Sequence, residues 1–153
     1  MSYFDSAYIA KFYLEEPDSD AVCRLAESLG RVHCVAIGRV EVASAFHRKR
    51  REGALAEPSF HAVMAQFAWD CAHGVWTWLP VTTRLIEAAT MAMGGLPKSI
   101  SLRSADALHL ACAREHGLRD VYTNDRHMTA AAPHFHVRAI AVGSRSGRHH
   151  THS

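Results

Sequence analysis

The chain lacks any apolar run that approaches the ~18 residues needed to cross a bilayer. Residues 1–5 also lack the basic region and following apolar stretch of a secretory signal. These absences argue against a membrane protein or a membrane partner. We therefore expect a cytoplasmic protein.

Cysteine is scarce and never closely spaced. The chain contains no C-x-x-C motif, and its cysteines are Cys23, Cys34, Cys71 and Cys112. Widely separated cysteines among apolar neighbours, in a chain without a secretory signal, are typical of buried small side chains. We predict that all four are reduced and buried.

The chain has little excess charge, with a net charge of +2. Arg145 and Arg148 lie among the final residues, where there is no acidic side chain, so the rest of the chain is balanced. This balance excludes a broadly basic nucleic-acid surface. A phosphate-binding surface would have to be local. The candidate basic run comprises Arg48, Lys49, Arg50 and Arg51. The end of a solvated helix is an alternative interpretation of that run.

The length and composition favour one folded domain. A chain of 153 residues with 48% hydrophobic residues can bury one substantial core, whereas two cores would each be marginal. We assign residues 1–143 to this domain. Residues 144–153, rich in His and Arg, are expected to form a disordered tail.

Short apolar segments suited to strands alternate with segments suited to helices. The strands are expected at residues 3–4, 32–37, 76–81, 121–123 and 137–142. The helices are expected at residues 7–14, 19–29, 39–52, 58–73, 83–93, 102–116 and 125–132. Strands that are separated by helices pair in parallel through crossovers. The sequence therefore predicts an α/β fold, a three-layer α/β/α sandwich with a mainly parallel central sheet.

Two acidic residues follow predicted strands. Asp5 ends the first strand, and Asp125 comes soon after the fourth. The carboxyl ends of parallel strands meet at one edge of a sheet, where open α/β folds place their sites. Each residue is equally suited to cap the helix that follows it.

Two further acids lie in helical segments. Asp106 stands among apolar residues of a predicted helix, where aspartate is unfavourable and a buried carboxylate needs a partner or a cation. Glu41 lies in the first turn of another helix, between Val40 and Val42, where an acid is also favoured by the helix dipole.

Four carboxylates brought together would repel one another, and a hard divalent cation relieves that repulsion. Mg²⁺ and Mn²⁺ accept carboxylate and water ligands and leave room for phosphate oxygens. The chain contains no H-E-x-x-H, G-x-G-x-x-G or P-loop motif, and its histidines lack a matching set of zinc ligands. We expect His109 to be a hydrogen-bonded, partly buried side chain rather than a metal ligand.

Four segments of the chain resemble the motifs of PIN-domain ribonucleases. They are Y-F-D-S-A-Y-I-A-K-F-Y from residue 3, V-E-V-A-S-A from residue 40, L-R-S-A-D-A-L-H-L-A from residue 102 and T-N-D-R-H-M from residue 123. Their order and spacing are similar to those of VapC-type toxins of bacterial toxin–antitoxin pairs.

The resemblance implies a metal-dependent endoribonuclease with Mg²⁺ or Mn²⁺ as cofactor. The metal-binding and catalytic acids would be Asp5, Glu41, Asp106 and Asp125. The polar residues that support them would be Ser6, Thr123 and Asn124. The resemblance also implies a homodimer, an RNA substrate and a VapB-type antitoxin that blocks the acidic site.

Three chemical alternatives stay open at this point. A non-catalytic RNA-binding or scaffold protein could use the same fold without cleaving RNA. A phospho-accepting receiver shares the architecture, but the chain lacks adjacent acids at the first strand end. A metal-free, histidine-based nuclease would leave a cyclic phosphate, whereas the metal-dependent reaction is expected to leave 5′-phosphate and 3′-hydroxyl ends.

Overall fold

The computed structural model describes residues 1–143. The expected disordered tail, residues 144–153, lies outside the described residues and stays a prediction. None of the described helices is both long and apolar enough to cross a membrane.

A five-stranded, fully parallel sheet forms the centre of the fold. Its spatial order is β3-β2-β1-β4-β5, so β1 lies in the middle. The strands are β1 (Ser2–Phe4), β2 (Val32–Val35), β3 (Trp76–Leu79), β4 (Asp120–Tyr122) and β5 (Arg138–Ile140). Tyr3 pairs with His33 of β2 on one side and Val121 of β4 on the other. Because β2, β1 and β4 are adjacent and parallel, the segments that follow them meet at one edge of the sheet.

Within residues 1–143, seven α-helices and one short 3₁₀ helix, Ala132–Phe135, flank the sheet. The α-helices are α1 (Ser6–Tyr13), α2 (Ser19–Leu29), α3 (Gly38–Arg51), α4 (Glu57–Ala72), α5 (Thr83–Gly94), α6 (Ser104–Glu115) and α7 (Arg126–Ala131). The predicted order of elements and the predicted parallel α/β/α architecture are confirmed.

Several element boundaries differ from the predicted ones, for physical reasons. Strand β3 ends at Leu79 rather than at residue 81, because Pro80 has no N–H to continue the ladder. Helix α6 begins at Ser104, two residues later than predicted. Asp106 therefore lies in the first turn of α6, where an acid is favoured, and not in the helix interior.

Aromatic side chains fill much of the space between the sheet and its helices. Tyr13 of α1 contacts the rings of Phe46, Phe67 and Trp76, so α1, α3, α4 and β3 share one cluster. Helix α4 contributes the buried side chains of Phe60 and Phe67 to this core.

The cysteines agree in part with their prediction. All four are free thiols, as predicted. Cys34 and Cys112 are buried, whereas Cys23 and Cys71 are only partly buried. The prediction of burial was therefore wrong for Cys23 in α2 and Cys71 in α4, because both lie at the margin of the core.

Candidate acidic active site

A cavity of ≈ 260 Å³ lies where β1 and β4 end. Three carboxylates from different elements line it: Asp5 after β1, Asp106 in α6 and Asp125 before α7. The sheet order changes direction between β1 and β4, which is where parallel α/β sheets form a crevice. The fold therefore joins three of the four predicted acids at one cavity.

Asp5 is held rigidly at the floor of this cavity. One carboxylate oxygen accepts a hydrogen bond from the Tyr8 backbone N–H (2.9 Å) and thereby caps α1. The other oxygen accepts from the Thr123 hydroxyl at 2.5 Å. Burial raises the pKa of the Asp5 carboxyl above its ordinary value, although both hydrogen bonds act to lower it. The side chain is thus both a helix cap and an oriented acid.

Asp106 borders the cavity from α6 and is half-buried. Burial raises the pKa of its carboxyl, and the nearby negative charges of Asp125 and Glu41 raise it further, while His109 opposes them. Each of these negative charges disfavours the ionised form of its neighbours, and a cation placed among them would relieve that repulsion.

Asp125 lies at the exposed rim of the cavity. One of its oxygens accepts hydrogen bonds from the backbone N–H groups of His127 (2.8 Å) and Met128 (2.9 Å) and caps α7. The helix-cap interpretation is therefore correct for both Asp5 and Asp125. A cap does not exclude a ligand role, because each carboxylate oxygen has more than one lone pair.

The predicted supporting residues lie around these acids. Thr123 is fully buried and donates to Asp5, as described above. Asn124 accepts a hydrogen bond from the Tyr8 hydroxyl (2.7 Å) and donates to Asp18 (3.0 Å) at the rim. Ser6 lines the cavity at the start of α1.

Glu41 does not line the cavity with the other three acids. Its Oε1 accepts a hydrogen bond from Nε2 of His109 at 2.6 Å, and His109 does line the cavity. Burial alone would lower the pKa of His109, but its contacts with Cys34 and Glu41 raise it well above the ordinary value. The expectation of a hydrogen-bonded His109 is confirmed, although the ring is buried more completely than expected, with 1% exposed.

The cavity acids have no cationic partner within residues 1–143. Asp5, Asp106 and Asp125 form no salt bridge with lysine or arginine there. Lys11 also lines the cavity, but its ammonium group pairs with Glu16 (2.7 Å) and Asp18 (2.8 Å).

In the part of the chain that the structure describes, no three His, Cys, Asp or Glu side chains already stand in metal-binding positions. The donor chemistry nevertheless fits Mg²⁺ or Mn²⁺, because three carboxylates line one cavity and none of them is paired with lysine or arginine within residues 1–143. Side-chain adjustment would be needed to bring the oxygens onto one ion.

The predicted basic run forms the last turn of α3, away from the cavity lining. Lys49 pairs with Glu16 (3.6 Å), and Arg50 pairs with Glu57 (3.5 Å) and lies over the Phe60 ring. Arg48 and Arg51 are exposed. The interpretation as a solvated helix end therefore fits the basic run, and two of its cations are already engaged.

Sequence reasoning missed three residues of the site. Tyr3 lies beneath His109, Tyr8 ties α1 to Asn124, and Lys11 lies at the cavity wall. Tyr8 follows Asp5 by three residues and Lys11 follows Tyr8 by three, a spacing that makes each pair neighbours on the surface of a helix. That spacing was a usable signal for these two, whereas the Tyr3–His109 contact joins residues 106 apart and had none.

Known structures have the same fold. VapC20 from Mycobacterium tuberculosis, a toxin that cleaves the sarcin–ricin loop, is 20% identical with a TM-score of 0.67, covering 86% of this chain and 95% of VapC20. FitAcB from Neisseria gonorrhoeae is 18% identical with a TM-score of 0.69, covering 91% of this chain and 96% of that one. FitAB bound to an IR36 DNA fragment is 18% identical with a TM-score of 0.59, covering 92% of this chain and 94% of that one. No curated protein sequence matches the chain.

A family model matches most of the chain as well. The PIN domain model aligns with residues 2–132. This range includes every acid of the candidate site and strands β1 to β4, but not β5. The chain belongs to the PIN domain family.

Proposed function

We propose that the protein is a Mg²⁺- or Mn²⁺-dependent endoribonuclease and the toxin of a VapBC-type toxin–antitoxin module, acting in the cytoplasm. The observation that carries the proposal is one cavity lined by Asp5, Asp106 and Asp125, which form no salt bridge with lysine or arginine within residues 1–143. Membership of the PIN domain family and the fold shared with VapC20 support it.

In this proposal Asp5, Asp106 and Glu41 hold the cation, and Asp125 completes the site. When bound, such an ion lowers the pKa of water and stabilises the negative charge that develops on a phosphodiester. Thr123 orients the Asp5 carboxylate, so that this ligand does not have to be ordered when the ion binds. Asp125 lies at the exposed rim, where it would complete the site or help to position a second ion.

Arg48 and Arg51 are proposed to bind RNA phosphates outside the cavity. Helix α3 carries Glu41 in its first turn and Arg48 in its last turn. Seven residues at about 1.5 Å rise separate the two by about 10 Å along the helix axis. RNA carries a phosphate on every nucleotide, so one strand that runs along α3 could contact both the site and the helix end.

The cleavage reaction itself tests the proposal. Purified protein is incubated with total RNA in Mg²⁺ or Mn²⁺, with and without EDTA, and the new ends are identified. We expect cleavage that EDTA abolishes, with 5′-phosphate and 3′-hydroxyl ends. Cleavage that resists EDTA or leaves a cyclic phosphate would overturn the metal-dependent mechanism. RNA binding without any cleavage would favour the non-catalytic RNA-binding or scaffold alternative.

The partners are part of the same proposal. A VapB-type antitoxin would insert a basic side chain among the cavity acids, which have no cationic partner within the described residues. We also propose a homodimer. Co-expression with the neighbouring gene, followed by size-exclusion chromatography with light scattering, should give a complex of toxin dimers and antitoxin. A monomeric toxin that does not bind the neighbouring gene product would contradict this assembly.

A further inference from the structure

A buried chain of hydrogen bonds connects the sheet to Glu41. The Val35 backbone N–H donates to the Tyr3 hydroxyl oxygen at 3.0 Å. The Tyr3 hydroxyl contacts Nδ1 of His109 at 2.7 Å, and Nε2 of His109 contacts Glu41 Oε1 at 2.6 Å. Tyr3 and His109 are 0% and 1% exposed. Two side chains of the core therefore determine where one predicted ligand can lie.

The hydrogen-bond partners of His109 show that its Nε2 carries a proton. An ionised carboxylate can only accept hydrogen bonds, so Nε2 must donate to Glu41. This holds for the neutral ring, whose Nδ1 then accepts from Tyr3, and for the charged ring, whose two nitrogens both donate. The direction of the bond to Glu41 is the same in either state.

The packing around the imidazole leaves it little freedom to turn. Its ring stands edge-on to the Tyr3 ring, with centroids 5.8 Å apart. The Cys34 sulfur lies 3.9 Å from Nδ1 on the sheet side. Gly38, at the start of α3, has no side chain there, and a Cβ at this position would lie 3.8 Å from the imidazole Cε1. The sheet and α3 thus enclose the ring from both sides.

We infer that His109 is a positioning residue for Glu41: its Nε2–H holds one carboxylate oxygen and leaves the other to complete the cation site. Within residues 1–143, Glu41 Oε1 is bound to His109 and Oε2 accepts no hydrogen bond. His109 lines the cavity, whereas Glu41 does not. The imidazole ring therefore connects Glu41 to the cavity that the other three acids line. This inference rests on the proposed function and adds a residue outside the four acids.

Two amide substitutions separate positioning from a merely structural role. In His109→Gln the side-chain amide nitrogen occupies the place of Nε2, so a donor to Glu41 is retained. In His109→Asn the amide nitrogen occupies the place of Nδ1, so the contact with Tyr3 is retained and the donor to Glu41 is lost. Both variants put a neutral amide in the same buried site, which makes them a matched pair.

Mn²⁺ titration of the two variants tests the inference. Removing a group that orients a metal ligand typically weakens metal affinity by about 10–100-fold. We expect His109→Asn to weaken Mn²⁺ binding by about tenfold or more and His109→Gln by less than about threefold. Equal Mn²⁺ affinities in the two folded variants would overturn the positioning role. A wild-type protein that binds no Mn²⁺ would overturn the proposed function and this inference with it.

The hydrogen bond can also be tested without a metal or a folded His109 variant. In a long-range ¹H–¹⁵N NMR spectrum of the wild type, the His109 Nε2–H should be slow to exchange and shifted downfield. Glu41→Gln should move that resonance strongly. An Nε2 signal that is unchanged in Glu41→Gln would show that the bond does not exist and would overturn the inference independently of the proposed function.

Discussion

At the scale of single residues, the site contains a buried carboxylate, Asp5, that is oriented by neutral donors. Asp5 is buried, and the Thr123 hydroxyl and the Tyr8 N–H are its hydrogen-bond donors. A buried carboxylate that loses a donor retains its desolvation cost without the compensating bond. Thr123 should therefore contribute to stability as well as to the orientation of Asp5.

Thr123→Val tests this contribution, because valine has nearly the shape of threonine but no hydroxyl. We expect the free energy of unfolding to fall by about 1–3 kcal/mol, as measured by urea denaturation. Thr90→Val is the matched control, since within residues 1–143 the exposed Thr90 hydroxyl bonds only to the Ile86 carbonyl of its own helix. The control should change stability by less than about 0.5 kcal/mol. Equal losses in the two variants would show that Asp5 does not need the Thr123 hydroxyl.

At the scale of elements, the close approach of α3 to the sheet places Glu41 beside His109. A Cβ on Gly38 would lie 2.5 Å from Cys34 Sγ and 3.2 Å from the Trp78 ring. Both contacts are shorter than carbon atoms normally make, and the Cys34 side chain is fully buried. Glycine at the first position of α3 is therefore required by space and not by backbone conformation.

Gly38→Ala should push the start of α3 away from the sheet. Overpacking of this kind costs about 1–3 kcal/mol of stability. Gly94→Ala in α5 is the control, because a Cβ there meets no atom within 4 Å. Because Gly94 is the last residue of α5, alanine there should change stability by less than about 0.5 kcal/mol. Thermal unfolding measures both, and a neutral Gly38→Ala would contradict the close approach.

The other end of α3 carries the proposed RNA contacts. We expect the double variant Arg48→Gln/Arg51→Gln to bind RNA more weakly. The slope of log affinity against log salt concentration should become shallower by about 0.7 for each lost phosphate contact. Arg24→Gln/Arg31→Gln, at exposed positions around α2, is the control of equal charge change. Filter binding of a catalytically silenced protein at several salt concentrations measures the slopes. Identical slopes in the two double variants would remove the basic run from the RNA interface.

At the scale of the whole molecule, local sequence patterns predicted the order of elements but not every side-chain contact. Apolar segments and helix caps such as Asp5 and Asp125 are local, and they led to the parallel sheet and to its acidic edge. The orientation of Glu41 depends on His109, which is 68 residues away. The start of α6 was also misplaced, because no local cap marks it. Contacts of that kind are determined by packing, which a single sequence does not display.

Thiol reactivity tests the packing of the whole fold. Cys34 and Cys112 are fully buried, and burial raises the pKa of the Cys112 thiol to about 12. At pH 8 we expect iodoacetamide to modify both cysteines in the urea-unfolded protein. Over the same reaction time it should modify neither cysteine in the native protein. Peptide mass spectrometry identifies the modified positions. Rapid native modification of Cys34 or Cys112 would contradict the described core.

The central claim is that Asp5, Asp106 and Asp125 together form a site for a divalent cation, and a Mn²⁺ binding isotherm tests it most directly. Asp106→Asn removes one charge from the cavity, whereas Asp20→Asn removes one from an exposed position on α2. We predict that the wild type and Asp20→Asn bind Mn²⁺ alike and that Asp106→Asn loses at least about tenfold in affinity, since Asp106 is proposed to bind the ion directly. Equal affinity in all three folded proteins would contradict the claim.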